Sequence, residues 1–163
     1  MRQQFPELDS VKINLRFHKL FYASMEARPN IFGPFYKKNN LSYVLLFNTT
    51  DTVHKFAIPL KNVPIDVLDA GIAHELSHII QYQQTTRWQL FFLPSKFVFS
   101  SSFKKNFETE ADNIASQHSF TDGLHKYFCL HLNNSNVSAE YKKRLKEFYM
   151  EQDCDDFKDT IDI

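Results

Sequence analysis

His74 and His78 stand four residues apart in the run AGIAHELSHIIQYQQ (70–84), with Glu75 beside the first of them. On a helix this spacing stacks the two imidazoles on one face, one turn apart, where they can share one cation. Zinc suits such a pair because it takes nitrogen ligands at about 2 Å in a tetrahedron. From position 75 a carboxylate can reach a water on that cation and act as general base. The pattern HExxH arises by chance in roughly one to two of a hundred sequences with this many histidines, so its context has to support it. Here it does: Leu76, Ser77 and Ile79 are uncharged and Ile80 is apolar. That is what a helix threaded through a protein interior requires, where an unpaired charge is costly.

A catalytic zinc takes three protein ligands and leaves one position open. The third is sought in NFETEADNIA (106–115), where Glu108 and Asp112 are again four apart on an expected helix. One of them can ligate while the other sits one turn away. A ligating histidine usually donates its second ring N–H to a carboxylate, and Asp112 is placed for that task. Glu110 competes with Glu108, but two residues along a helix turn it about 200° away. The competing structural account is a helix pair whose polar side chains merely satisfy one another.

HELSH followed by ETEAD resembles the gluzincin metallopeptidases, which carry HExxH on one helix and ExxAD or ExxxD on the next. The ETEAD form is similar to the membrane-linked HtpX-like peptidases and to the ImmA/IrrE-type regulatory peptidases. The resemblance covers roughly residues 53 to 118. It implies zinc-dependent peptide-bond hydrolysis, with one Zn2+ per chain held by His74, His78 and Glu108. It also implies Glu75 as general base and Asp112 as the carboxylate behind a ligand. The substrate would be a peptide or protein lying along an edge strand, either 53–60 or 41–48. The alternative is a catalytically silent, zinc-stabilised module that binds a peptide or protein partner, with a membrane surface as one setting.

The elements that must position these residues are legible in outline. SVKINLRFHK (10–19) alternates apolar and polar residues and predicts a half-buried strand. ARPNIFGPF (27–35) carries Pro29, Gly33 and Pro34 and predicts an irregular connection. LSYVLLFN (41–48) predicts a more buried strand, paired as a hairpin with 53–60. Pro64 and Asp66 open a helix that runs to about Gln84. Helices are expected at about 105–117, 121–134 and 138–152, the last with Ser138 as N-cap. Strands first and helices after mean an α+β fold. The expectation is a small, mostly antiparallel N-terminal sheet packed on the HExxH helix, with the glutamate helix and C-terminal helices following. One domain over 1–152 is expected, with a fraying acidic tail at 153–163.

WQLFFLPSKFVF (88–99) is too short, and too broken by Pro94, to span a bilayer. Core packing, a hydrophobic substrate wall or lid, and peripheral membrane contact are its three readings. His118, His125, Tyr127 and His131 are candidates to stabilise an oxyanion. Tyr82, one turn beyond His78, is expected to pack near the site.

With 19 basic and 19 acidic residues the chain has no cationic excess for a phosphate backbone, so nucleic acid is not an expected partner. Seventeen phenylalanines against three glycines describe a packed domain, not a linker. Cys129 and Cys154 lie in no CxxC pattern and are expected as free thiols in a reducing, cytoplasmic setting. The first ten residues lack the apolar core of a secretory signal. The sequons at Asn40, Asn48, Asn133 and Asn136 are read as accidental.

Overall fold

The computed structural model describes residues 2–20, 23–30, 41–49, 58–148 and Cys154. Among these residues the fold is α+β. Three strands, β1 (Lys12–His18), β2 (Met25–Pro29) and β3 (Ser42–Asn48), precede five helices. These are α1 (Ile65–Gln84), α2 (Arg87–Phe99), α3 (Ser101–Gln117), α4 (Thr121–Asn133) and α5 (Ala139–Phe148).

The sheet has the order β1-β3-β2, with β1 parallel and β2 antiparallel to β3. It is therefore mixed, where mostly antiparallel pairing was expected. The partner of β3 is also different. The expected hairpin strand 53–60 lies largely outside the described residues, and Leu60–Asn62 form a 3-10 turn. Instead β3 pairs with β2, whose Ala27, Arg28 and Pro29 fall in the stretch expected to be irregular. Pro29 is tolerated because it ends an edge strand, where one missing N–H costs little.

The strand at the centre is the buried one. Tyr43, Leu45 and Leu46 of β3 are each at most 3 % exposed. β1 is a strand, as its alternation predicts, but it is not half-buried: Leu15 and Phe17 are 66 % and 77 % exposed. Helix α1 packs against β2, on the opposite edge of the sheet from β1. Asn48, one of the sequon asparagines, is buried. Its side chain takes the Leu20 N–H and donates to the Leu20 and Ala23 carbonyls, which fixes the crossing into β2.

The helices are joined by capped junctions. Thr86 and Gln89 form a capping box at the start of α2, which satisfies two otherwise unpaired amides. Ser100 ends α2 and caps α3 through the Phe103 N–H. Helix α3 thus begins four residues earlier than the sequence suggests. Ser138 caps α5, accepting from the Tyr141 N–H. The main core joins Ala27, Tyr43 and Leu45 of the sheet to Ala73, Leu76, Ile79 and Ile80 of α1 and Phe107 and Ala115 of α3. At the crossing of α1 and α4, a Cβ on Gly123 would lie 2.6 Å from the Ala70 Cβ. Glycine there lets α4 lie close enough to α1 for the Tyr127 ring to pack against Gly71 and line the same cavity as the histidines.

Cys129 and Cys154 are bonded, with Cα atoms 5.4 Å apart. The expectation of two free thiols is thereby overturned. Two cysteines 25 residues apart, one on a helix and one in the tail, give no spacing signal for such a bridge. The expected fraying of the tail lies outside the described residues apart from Cys154, which the bridge holds against α4. No helix among the described residues is long and apolar enough to cross a membrane.

Candidate metal centre

Helices α1 and α3 bring His74, His78 and Glu108 together in the wall of a cavity of about 660 Å³. Glu108 Oε2 lies 3.3 Å from His74 Nε2 and 3.5 Å from His78 Nε2. Three donor atoms from two helices thus face one point.

The other ring nitrogens are occupied. His74 Nδ1 is 2.7 Å from Asp112 Oδ1, and because an ionised carboxylate only accepts, the histidine donates there. His78 Nδ1 is 2.8 Å from Gln81 Oε1. The Gln81 amide nitrogen donates to the Phe107 carbonyl at 2.8 Å and to Glu110 at 2.9 Å, both of them acceptors. Its oxygen is therefore the atom that faces His78, so His78 also donates through Nδ1. Both rings carry a proton on Nδ1 and turn Nε2 toward Glu108. This is the tautomer a metal ligand needs.

The distances separate two accounts of the cluster. A charge-assisted N–H···O bond is about 2.7–2.9 Å long, as His74 makes with Asp112. The contacts to Glu108 are longer. Ligands at about 2.0–2.1 Å in a tetrahedron stand about 3.3–3.4 Å from one another, close to the 3.3 and 3.5 Å found here. The two spacings to Glu108 are therefore those that a zinc ion held by these residues would give.

Electrostatics in the metal-free site follow from burial and mutual contact. Burial disfavours charge on His74, but the Asp112 and Glu108 carboxylates outweigh it and hold the imidazole well above its ordinary value. Burial pushes the Glu108 carboxyl up, and the neighbouring His74 and His78 rings override this and hold it well below the usual carboxylate range. The raised His74 and the lowered Glu108 both favour a proton between them, which a bound cation would displace.

Glu75 lies on the same helix, turned toward the sheet. Its Oε2 accepts from the Ala27 N–H of β2 at 2.5 Å. Burial pushes its carboxyl upward, with His78 and His74 opposing. Tyr82 donates to the carbonyl of the same Ala27 at 3.1 Å, stacks on Tyr43 and lies tilted against Phe107, so it packs beside the site as expected. Ala27 therefore gives both outward-facing backbone groups to α1. β2 is the edge strand beside the cavity. The sequence offered 41–48 for an incoming peptide. That strand is β3, which has neighbours on both sides and no edge to offer. Most of the other choice, 53–60, lies outside the described residues.

All five site residues read from the sequence meet in this cavity. Of the oxyanion candidates only Tyr127 lines it. His118 sits on Phe5 and near Glu7, His125 lies 3.4 Å from the Cys129 sulfur, and His131 is buried with Nδ1 on the Tyr127 carbonyl. Burial pushes the Tyr127 phenol far up, and pushes Tyr141, a further lining residue from α5, up to about 12. Both remain protonated donors. Sequence reasoning missed Gln81 and Tyr141. Gln81 has a signal in its i+3 spacing from His78, on the same helix face. Tyr141 has none, since it lies 29 residues beyond Asp112, on a helix outside both motifs.

Compared with known family models, curated proteins and solved structures, the chain has no match.

Proposed function

We propose that the chain is a zinc-dependent metallopeptidase that hydrolyses internal peptide bonds. One observation carries the reading. His74 and His78 both turn Nε2 to a single Glu108 oxygen at tetrahedral spacing, while Asp112 and Gln81 hold the opposite ring nitrogens. His74, His78 and Glu108 would hold the zinc. When bound, it would supply Lewis acidity, lowering the pKa of a water to about 7 and polarising the peptide carbonyl.

The remaining chemistry belongs to the chain. Glu75 takes the proton of the attacking water on its carboxylate and passes it to the leaving amine. Tyr127 and Tyr141, which line the cavity, would donate to the developing oxyanion. A substrate strand added at the edge of β2 would compete with Glu75 for the Ala27 N–H and with Tyr82 for its carbonyl. Seating the peptide would then free the general base.

The same bond from Ala27 favours a second reading, because a carboxylate held on backbone is unavailable as a base. On that reading the cavity binds a peptide and cleaves nothing. Glu75→Gln separates the two. Hydrolysis of a broad peptide library should fall about 10³-fold with zinc retained, the size expected for a general base. Wild type and variant equally inert on the library would favour the binding module.

A further inference from the structure

Helix α2 joins the two motif-bearing helices and is apolar on both sides. Leu90 and Leu93 face the core, 5 % and 8 % exposed. On the opposite side Trp88, Phe91, Phe92, Val98 and Phe99 are between 53 % and 87 % exposed. At 100° per residue these five fall within an arc of about 120°, shared only with Ser95. Scattered exposed apolar residues are ordinary, but a contiguous stripe of large ones marks a contact surface.

Charge is also segregated along this part of the sequence. From Leu76 to Phe107 the chain has no acidic residue and four basic ones, Arg87, Lys96, Lys104 and Lys105. In a chain of zero formal charge, the rest therefore carries four net negative charges. Lys96 borders the aromatic stripe and Lys105 is exposed on α3. The Lys96 ammonium lies over the Phe103 ring at 5.3 Å.

We infer that this face docks on a bilayer surface rich in anionic phospholipid. Thirteen helical residues reach about 20 Å, too short to cross a hydrocarbon core of about 30 Å but long enough to lie in its boundary. Trp and Phe suit the interfacial layer, and a lysine at its border, as Lys96 is here, meets lipid phosphates. An interfacial helix usually carries its own polar face. Here the protein core takes that place, through Leu90 and Leu93. A second copy of the chain fits less well. A two-fold contact through this stripe would bring the Lys96 of each copy toward the other. The docked helix would also hold the cavity near the lipid, since Phe97 of α2 and Lys104 of α3 line it.

Trp88 is the single tryptophan of the chain, so its fluorescence reports this face alone. The whole protein is titrated with vesicles of phosphatidylcholine containing about 30 % phosphatidylserine, and with phosphatidylcholine alone. Docking predicts a blue shift with the anionic vesicles, quenching by brominated acyl chains, and weakening in high salt. Phe91→Ser with Phe92→Ser, which leaves Trp88 in place, should weaken partitioning at least about tenfold. Unchanged emission with every vesicle would overturn the inference. So would equal binding to the neutral vesicles, equal binding by the double variant, or a blue shift that needs no lipid and disappears on dilution. The last result would assign the face to a second copy. Metal content is measured on the same samples, so failure here is distinguishable from failure of the zinc site.

Discussion

Helices α1 and α3 put ionisable side chains where hydrocarbon is usual. His74, His78, Glu108 and Asp112 sit largely buried, each with a charged or polar partner. Helix α2, between them in sequence, does the reverse and leaves Trp88, Phe91, Phe92, Val98 and Phe99 in contact with water. Buried ionisable groups are costly unless paired, and exposed hydrocarbon is costly unless covered. The first region resolves its cost within the fold, because every histidine nitrogen there faces an acceptor or a shared ligand point. The second region does not. On the readings proposed above, a cation would complete the first region and an apolar surface would cover the second.

The contrast can be broken by substitution, the largest effect coming first. On α2, Leu93→Ala should destabilise the fold by about 3 kcal/mol, as for a buried leucine elsewhere. Phe92→Ser on the opposite side should change stability by less than about 0.5 kcal/mol. Chemical denaturation compares the two, and a large loss for Phe92→Ser would show that the stripe is held by the fold. In the α1–α3 region, Asp112→Asn should lower zinc affinity about 10–100-fold without unfolding the chain, since it loosens the ring behind a ligand. Competition with a chromophoric chelator measures this. An affinity equal to wild type would remove Asp112 from the account.

The metal-free protein offers a test of the buried charges themselves. Glu108 is held below its ordinary value, so its contribution to stability is present above the usual carboxylate range and is lost as pH falls below it. His74 is held above its ordinary value, so its contribution is present below pH 6.5 and is lost as pH rises through the raised value. Melting temperature in a chelator should therefore pass through a maximum between these limits, and Glu108→Gln should flatten it. A profile identical in both proteins would contradict the coupling. The smallest effect lies between the regions and α4. Ser119 closes α3 with φ of 71°, while Phe120 N–H bonds to Ala115 and Ser119 N–H to Ser116. That is the position glycine usually fills, so Ser119→Gly should stabilise by about 0.5–1 kcal/mol in the same denaturation assay.

The candidate site was largely legible in the sequence. Its residues lie four apart on two helices, and helical periodicity converts such spacing directly into a shared face. The parts that were not legible depend on what packs where. Alternation in 10–19 marks a strand, yet it does not say that β1 lies at the edge away from α1. Pro29 and Gly33 read as punctuation, which hid β2, the strand whose Ala27 holds Glu75. Parallel pairing of β1 with β3 needs a long-range crossover that no local pattern encodes. Helix α2 has apolar residues all round and Pro94 within it, so no single face announced a helix. The disulfide joins residues that only the folded α4 brings to the tail.

The most direct measurement is zinc per chain, by elemental analysis of protein purified without added metal. His78→Ala and Glu108→Gln are measured alongside, with circular dichroism to check the fold. The account predicts about one zinc in the wild type and little in either folded variant. No zinc in the wild type, and none taken up when zinc is added, would mean that His74, His78 and Glu108 face one another for a different reason, and the proposed hydrolysis would fall with them.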